Sequence, residues 1–527
     1  MNQAKLDEHL TCSICLELFT DPVLAEDRHT YCRVCITSCI AATGRSPLTR
    51  QSLVGKPLIP IRDLKNICDM RRAAPAPAPE VQAPAPSSGK IVVHIERFKN
   101  QLKVLAKAKG AELPPCLPSG CILVLDTSGS MVGKAVYSAD GNELLTPLSP
   151  LALLKHSARL MIMLARICDI IGIVIFSSGF KVLLPPTAMT AAGKAAALAA
   201  VDSMRSGGNT QMWQGLSKGI ELAEALPASV YASVVLLTDG QPSDDVIQTR
   251  PISQLFERAF RGLKRPVDFH TVGYGMDPEM DSPLLQGIAR VGGGSYSYVS
   301  DGSMVGTVFV HLACNMSSVV SPGMAFTGSS TVRTGPLRLD QPRYLVTEDD
   351  GVQEITSGSE NSWIIMNGPS PDAYVTMRQR FVELLGEAVW AVGTLQEQPT
   401  QQALMAFAGG FVGCKDPRII AILTDVLPNS KPNKGQIHKA FQNWEKWGRH
   451  YLPSLLLAHE RQDKINFKDE SLETYSTLAQ NAAVEAAEKV FASIPPPPIS
   501  YAATLKRVAS GYTAPVVNMQ NYVNRSG

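Results

Sequence analysis

The sequence predicts a multidomain protein. Its largest part is an α/β doubly wound parallel sheet, with a small compact unit before it and a small β unit and a helical region after it. Three observations predict this. Strand-length, β-branched runs ("GCILVLDTSGSM", "DIIGIVIFSS", "SVVLLTDGQP", "VDFHTVGYG") alternate with helical patterns such as Leu151–Ile167 and Gly215–Ala225. Such alternation builds a parallel sheet covered by helices on both faces. "AAPAPAPEVQAPAPSSG", Ala73 to Gly89, is an Ala-Pro spacer of polyproline geometry that separates the first unit from the rest. At 527 residues the chain is also too long for one core.

Taken in order, residues 6–70 form the compact unit and 71–89 the spacer. Residues 90–117 carry two short strand-like runs, "KIVVHIE" and "QLKVLAK", that flank the α/β domain of 118–316. Short, turn-rich strands ("GPLRLDQPRYLVT", "SWIIMN") make 317–372 a small β unit. Residues 373–494 read as helical, with Phe381, Leu384, Leu385, Ala388 and Val389 at three- and four-residue steps. "IPPPPIS" ends that region, and 495–527 is expected to be a flexible tail. Phe441, Trp444, Trp447 and Tyr451 recur at helical steps and read as a core stripe, and His270, inside a strand pattern, reads as a core histidine.

A net charge of +2 and a pI near 7.9 give no electrostatic footprint for nucleic acid or an anionic membrane. The first ten residues lack an apolar core of the secretory type, and no apolar run approaches the ~18 residues of a membrane span. The expectation is a cytoplasmic protein whose eleven cysteines are reduced, so that paired cysteines point to metal.

Cys12, Cys15, Cys32 and Cys35 form two Cys-x-x-Cys pairs with sixteen residues between them, sound spacing for one tetrahedral zinc. A cross-braced second site would use positions 27, 29, 46 and 49. Those are Asp27, His29, Ser46 and Thr49, whose hydroxyls are poor zinc ligands and good hydrogen-bond partners. The expectation is one zinc site kept and one converted to a polar network, with a metal-free unit as the alternative. The run "CSICLELFTDPV", "HTY", "SPLTRQSL" and "LIPIRDLKNI" resembles a U-box, the zinc-free relative of the RING domain, over essentially all of residues 8–68. The four thiolates depart from the usual U-box.

That resemblance implies a small α+β fold and ubiquitin ligase activity. Such domains have no covalent nucleophile; they hold a ubiquitin-loaded conjugating enzyme so that its thioester faces an acceptor lysine, which is catalysis by orientation. By residue match, Ile14 and Pro47 would contact the conjugating enzyme, with Ile36 and Ile40 on the central helix beside them. Arg50 would bridge the enzyme and ubiquitin through its planar fork of donors.

"LDTSGSM" places Asp126, Ser128 and Ser130 just past a buried strand, at the sheet edge where open α/β folds bind ligands. Thr210 in "SGGNTQMWQGL" and Asp239 in "LLTDGQP" add two more oxygen donors. Together these resemble the metal-ion-dependent adhesion site of a von Willebrand factor type A domain, and the similarity runs from about Pro118 to Cys314. It implies Mg²⁺ bound directly by Ser128, Ser130 and Thr210, with the aspartates holding coordinated waters. One metal position would stay open for an acidic residue of a protein partner. The expected function is a ubiquitin ligase whose first unit recruits the conjugating enzyme and whose type A domain holds the substrate. The alternative is a non-catalytic, metal-dependent interaction scaffold, which has no reason to carry Ile14, Pro47 and Arg50 together.

Overall fold

The computed structural model describes residues 12–14, 19–61, 64–65, 68, 90–98, 101–109, 116–132, 136–139, 142–145, 149–243, 251–274, 280–299, 304–327, 331–339, 341–348, 354–357, 363–367, 373–428, 435–465 and 469–495. The Ala-Pro spacer and the tail beyond 495 lie outside them. The chain divides into two compact units, Met1–Gln82 and Ala83–Gly527.

In the first unit β1 (Pro22–Leu24) pairs antiparallel with β2 (Thr30–Cys32) and with β3 (Ile59–Pro60), and α1 spans Arg33–Thr43. Helix α1 stops at Gly44, whose φ of +67° lets its N–H return to the Ile40 carbonyl at 2.8 Å. Only glycine takes that left-handed cap without a Cβ penalty. Phe19, Val23, Tyr31, Ile36 and Leu53 close a small core together with Cys12, Cys32 and Cys68.

The second unit begins with β4 (Lys90–Phe98) and β5 (Gln101–Lys109), followed by β6 (Ser119–Asp126) and the hairpin of β7 (Val136–Ala139) and β8 (Asn142–Leu145). The α/β part continues with α2 (Pro150–Leu164), β9 (Ile170–Phe176), β10 (Phe180–Ala188), α3 (Ala191–Ser203), α4 (Met212–Glu224) and β11 (Tyr231–Thr238). It ends with α5 (Ile252–Arg261), β12 (Val267–Tyr274), α6 (Ser282–Val291), β13 (Gly293–Val299) and α7 (Val305–Ser317). Among the described residues the main sheet has six strands in the order β10-β9-β6-β11-β12-β13, all parallel except β10.

The apolar run of β6 is buried along its whole length because alternate residues enter different cores. Ile122 and Val124 pack under α4, while Leu123 and Leu125 pack under α2 and α7. Gly215 and Gly219 bring α4 hard against the sheet, since a Cβ at Gly219 would lie 2.5 Å from Val124. The chain passes from β6 to β9 on one side and later to β11 on the other. The crevice beside β6 is therefore the topological switch point.

The remaining strands are β14 (Val319–Ser321), β15 (Met324–Thr327), β16 (Thr331–Arg333), β17 (Leu337–Arg338), β18 (Arg343–Glu348), β19 (Glu354–Ser357) and β20 (Trp363–Asn367). Here the structure revises the expected boundaries. Strands β4 and β5 do not merely flank the α/β domain; they lie in one sheet, β18-β5-β4-β20, with strands from beyond it. Strands β4, β5, β18 and β20 thus make one sheet, and the α/β domain lies in the chain between β5 and β18.

The helical region comprises α8 (Ala373–Ala391), α9 (Glu397–Gly409), α10 (Pro417–Val426), α11 (Gln436–Gln442), α12 (Arg449–Arg461), α13 (Glu470–Glu473) and α14 (Leu478–Ser493). Phe381, Leu385 and Ala388 are buried in the same core as Val124, Phe269 and Tyr296 of the main sheet. The helical region thus shares a core with the α/β part and is no separate domain. Tyr451 is buried in that core and Phe441, Trp444 and Trp447 pack on it, as the stripe predicts. His270 is buried, its Nδ1 is 2.9 Å from Ser295 Oγ, and burial pushes its pKa down to about 4. No helix among the described residues is long and apolar enough to cross a membrane.

Candidate functional site

The Sγ atoms of Cys12, Cys32 and Cys35 all lie within 4.8 Å of one another, and Cys15 falls outside the described residues. A tetrahedral site with Zn–S near ~2.3 Å separates its sulfurs by about 3.8 Å, so a small contraction suits this trio to zinc. The sulfurs accept hydrogen bonds: the Cys32 N–H donates to Cys12 Sγ at 3.4 Å, and the Thr20 N–H and hydroxyl donate to Cys32 Sγ at 3.4 and 3.5 Å.

Where a second metal would sit there is a hydrogen-bond network. Asp27 Oδ2 accepts from Ser46 Oγ at 2.5 Å and from the Tyr31 hydroxyl at 2.7 Å, and Oδ1 accepts the His29 N–H at 3.1 Å. Ser46 Oγ in turn accepts the N–H groups of Leu48 and Thr49 at 3.1 and 3.0 Å. Burial works to raise the Asp27 pKa, but the donations from Ser46, Tyr31 and His29 outweigh it and hold the carboxyl below its usual range. Burial, helped by the Asp27 carboxylate, pushes Tyr31 up to about 12, so its hydroxyl stays a donor. Tyr31, which the sequence offers only inside the run "HTY", is a member of this network that the expected set of positions 27, 29, 46 and 49 did not include.

The turn built on Ser46 presents Pro47, Leu48 and Arg50 to solvent. Arg50 donates its N–H to the Ser46 carbonyl at 3.1 Å and takes a φ of +62°, a left-handed conformation that a non-glycine residue adopts only under constraint. Ile14 is 36% exposed and Ile40 half-buried. Ile36 must be withdrawn from the expected contact set, because it is fully buried in the small core. Leu48, exposed beside Pro47, joins the apolar surface instead; its place in a polar turn was the available signal.

At the switch point, Asp126 ends β6 and is fully buried. Its Oδ1 accepts the Ser128 N–H at 2.8 Å and its Oδ2 accepts the Thr238 hydroxyl at 2.5 Å. Ser128 Oγ is 3.0 Å from Ser130 Oγ, which donates to Asp239 Oδ1 at 2.9 Å. Octahedral Mg²⁺ with ~2.0–2.1 Å bonds places adjacent ligands about 2.9 Å apart, which is the spacing of these oxygens. Burial pushes the Asp126 carboxyl up, against the donations of Thr238 and Ser128. A cation beside it would offset that desolvation, so the donor set fits the metal.

The loop of Thr210 is held to both other loops. Gly129 N–H donates to the Gly208 carbonyl at 3.0 Å, and Ser206 Oγ to the Ser128 carbonyl at 2.6 Å. Thr210 and Ser243 exchange hydrogen bonds, N–H to Oγ at 3.0 Å and Ser243 N–H to the Thr210 carbonyl at 2.9 Å. Gly208 permits the approach, with φ of +87° and no room for a Cβ, which would lie 2.5 Å from Ser178 Oγ. Thr238, Ser206 and Ser243 are supports that the motif does not include.

Three protein families match parts of the chain. A RING-type zinc-finger family matches residues 12–51, the von Willebrand factor type A domain matches 121–241, and a "VWA / Hh protein intein-like" family matches 416–489. The E3 ubiquitin-protein ligase TRIM11 of Rattus norvegicus is 36% identical over 80 residues, 15% of this chain and 17% of that protein. The E3 ubiquitin-protein ligase WAV3 of Arabidopsis thaliana is 27% identical over 247 residues, 44% of this chain and 30% of that protein. The chain therefore spans well under two thirds of either relative. Among solved structures, a von Willebrand factor type A protein from Catenulispora acidiphila is similar at 14% identity and a TM-score of 0.47, covering 75% of this chain and 100% of that one. The chain thus joins a RING-type zinc-finger segment at its N-terminus to a von Willebrand factor type A domain.

Proposed function

We propose that the chain is a ubiquitin ligase that recruits a ubiquitin-conjugating enzyme through its N-terminal unit and holds protein substrates at a Mg²⁺-dependent site of its type A domain. The observation that carries this reading is the Ser46–Arg50 turn. Hydrogen bonds to a buried carboxylate fix it, and it spends its exposed positions on Pro47, Leu48 and a conformationally constrained Arg50. A residue that only needed solubility would not be held at φ +62°. The ligase names of TRIM11 and WAV3, which match 80 and 247 residues of the chain, support it.

In this reading Ile14, Pro47 and Leu48, with Ile40 at the edge, contact the conjugating enzyme, and Arg50 bridges it to ubiquitin. Cys12, Cys15, Cys32 and Cys35 hold one zinc that fixes the first loop. Ser128, Ser130 and Thr210 bind Mg²⁺ directly, while Asp126 and Asp239 hold its waters and a substrate carboxylate takes the open position. The protein acts in the cytoplasm, where the thiols stay reduced.

The test is single-turnover discharge of ubiquitin from loaded conjugating enzymes, followed with wild type, Ile14→Ala, Pro47→Ala and Asp126→Ala. Discharge should fall in the first two variants and persist in the third, which should fail only on bound substrate. Absence of discharge by wild type across a broad panel of conjugating enzymes would leave the scaffold reading in its place.

A further inference from the structure

Far from the metal face, at the opposite end of β6, a cavity of about 270 Å³ opens under the last helix, α14. Its floor is the start of β6 and β9, its sides are the ends of α2 and α7, and its cover is α14. We propose that this cavity is a binding site for a small, neutral, flat aromatic molecule.

Volume sets the size. An apolar cavity of ~150 Å³ stays dry and takes up benzene, so this one holds a body of about two fused rings. Its lining sets the chemistry. Cys121, Met161, Cys314 and Met316 turn four sulfur-bearing side chains onto it, and sulfur makes favourable contacts with aromatic rings. Burial pushes the Cys121 and Cys314 thiols up to about 12, so they stay neutral, apolar wall.

The charged group at the rim is already engaged. Asp169 accepts the Ser119 N–H at 2.8 Å, the Arg166 N–H at 2.7 Å and the Arg166 guanidinium at 2.9 Å. A ligand therefore gains nothing from carrying a charge. One hydroxyl can meet Ser317, whose own Oγ donates to the Cys314 carbonyl at 3.2 Å.

The cover is built to leave the space. Helix α14 is anchored at its far end, where Phe491 fills the hollow over Gly306 (a Cβ there would lie 2.5 Å from the ring) and meets the His156 ring edge-on at 5.1 Å. Over the cavity it presents only alanines and Val490, and most of its length is exposed. Between that anchor and the N-cap only Ala487 and Val484 reach the core, so an occupant would add to a sparse contact.

The probe is 2-naphthol, neutral at pH 7 and fluorescent. Added to the full chain, it should bind saturably, raise the unfolding temperature as any ligand of the native state does, and slow amide exchange in 478–493. Ala487→Phe places a ring in the cavity from the buried side of α14, and Ala486→Leu fills it from an exposed position that the fold tolerates. Each should weaken binding about ten-fold or more, and chelation of divalent metal should change nothing. The proposal is overturned if wild type shows no saturable binding up to the solubility of the probe. It is equally overturned if the filled variants bind as wild type does; should Ala487→Phe fail to fold, Ala486→Leu decides.

Discussion

Arg338 grips Asp463 with both ends of its guanidinium, across 125 residues of chain, with each side chain 3% exposed. Arg343 leans on the same carboxylate at 3.5 Å. One aspartate thus faces two buried cations and ties Arg338 and Arg343 to the end of α12. Removing one partner of a buried ion pair costs ~3–5 kcal/mol, because the other charge is left unpaired. Asp463→Ala should lower the unfolding free energy of the second unit, measured by denaturant titration, by about that amount and leave the zinc content unchanged.

Thr238 donates to Asp126 and reaches no ligand position itself. Thr238→Val keeps the shape of the strand end but removes the bond that orients the carboxylate. Supports of this kind are worth ~10–100-fold in metal affinity. Isothermal titration should show Mg²⁺ binding at least about ten-fold weaker than wild type, at an unchanged melting temperature within a few degrees.

Arg50 separates stability from activity. Arg50→Gly relieves the left-handed backbone and should stabilise the first unit by up to ~1 kcal/mol, while ubiquitin discharge falls. A variant that is both less stable and equally active would contradict the bridging role.

Asp268 carries a pH signature. Burial raises its pKa to about 6, against the hydrogen bond from Tyr231 and the nearby Arg461 and Arg338, whereas a free aspartate titrates near 3.8. Between those pH values the folded chain keeps a proton that the unfolded chain releases, so this group makes stability fall as pH rises from about 4 to 6. The effect is at most about 3 kcal/mol. Asp268→Asn, which still accepts from Tyr231, should be more stable than wild type at pH 7.5 and no different at pH 4.

Metal analysis of the full chain should return about one zinc, and Cys32→Ser should lose it. Because a structural zinc contributes ~10–16 kcal/mol to a small unit, that variant should also lose the cooperative melt of the first unit. Retention of the melt under chelation would favour the metal-free alternative.

Asp126, Ser128, Ser130 and Asp239 were legible in the sequence because polar residues directly after apolar strands have one common place, the sheet edge. Thr238 was not, since a threonine closing such a run reads as one more β-branched strand former. On α1, Ile36 and Ile40 lie four residues apart and share one apolar face, with Val34 on the other side. Local spacing does not say that Ile36 is fully enclosed in a core completed by Phe19 and Leu53 while Ile40 stays half-buried at its edge. The pairing of β4 with β20 was equally hidden: strand partners more than 250 residues apart leave no mark in either local pattern, only in the register that both complete.

That pairing has a mechanical consequence. The spacer enters the second unit at the start of β4, and the chain leaves for the helices at the end of β20, its parallel neighbour. Tension between those points loads the two strands lengthwise in opposite directions, so the ladder from Ile91–Trp363 to Ile95–Asn367 resists together and does not unzip bond by bond. The type A domain is spliced in between β5 and β18, and the helices beyond β20 pack into its core. A pull along the chain at the start of β4 therefore meets a sheared ladder before it can part that core.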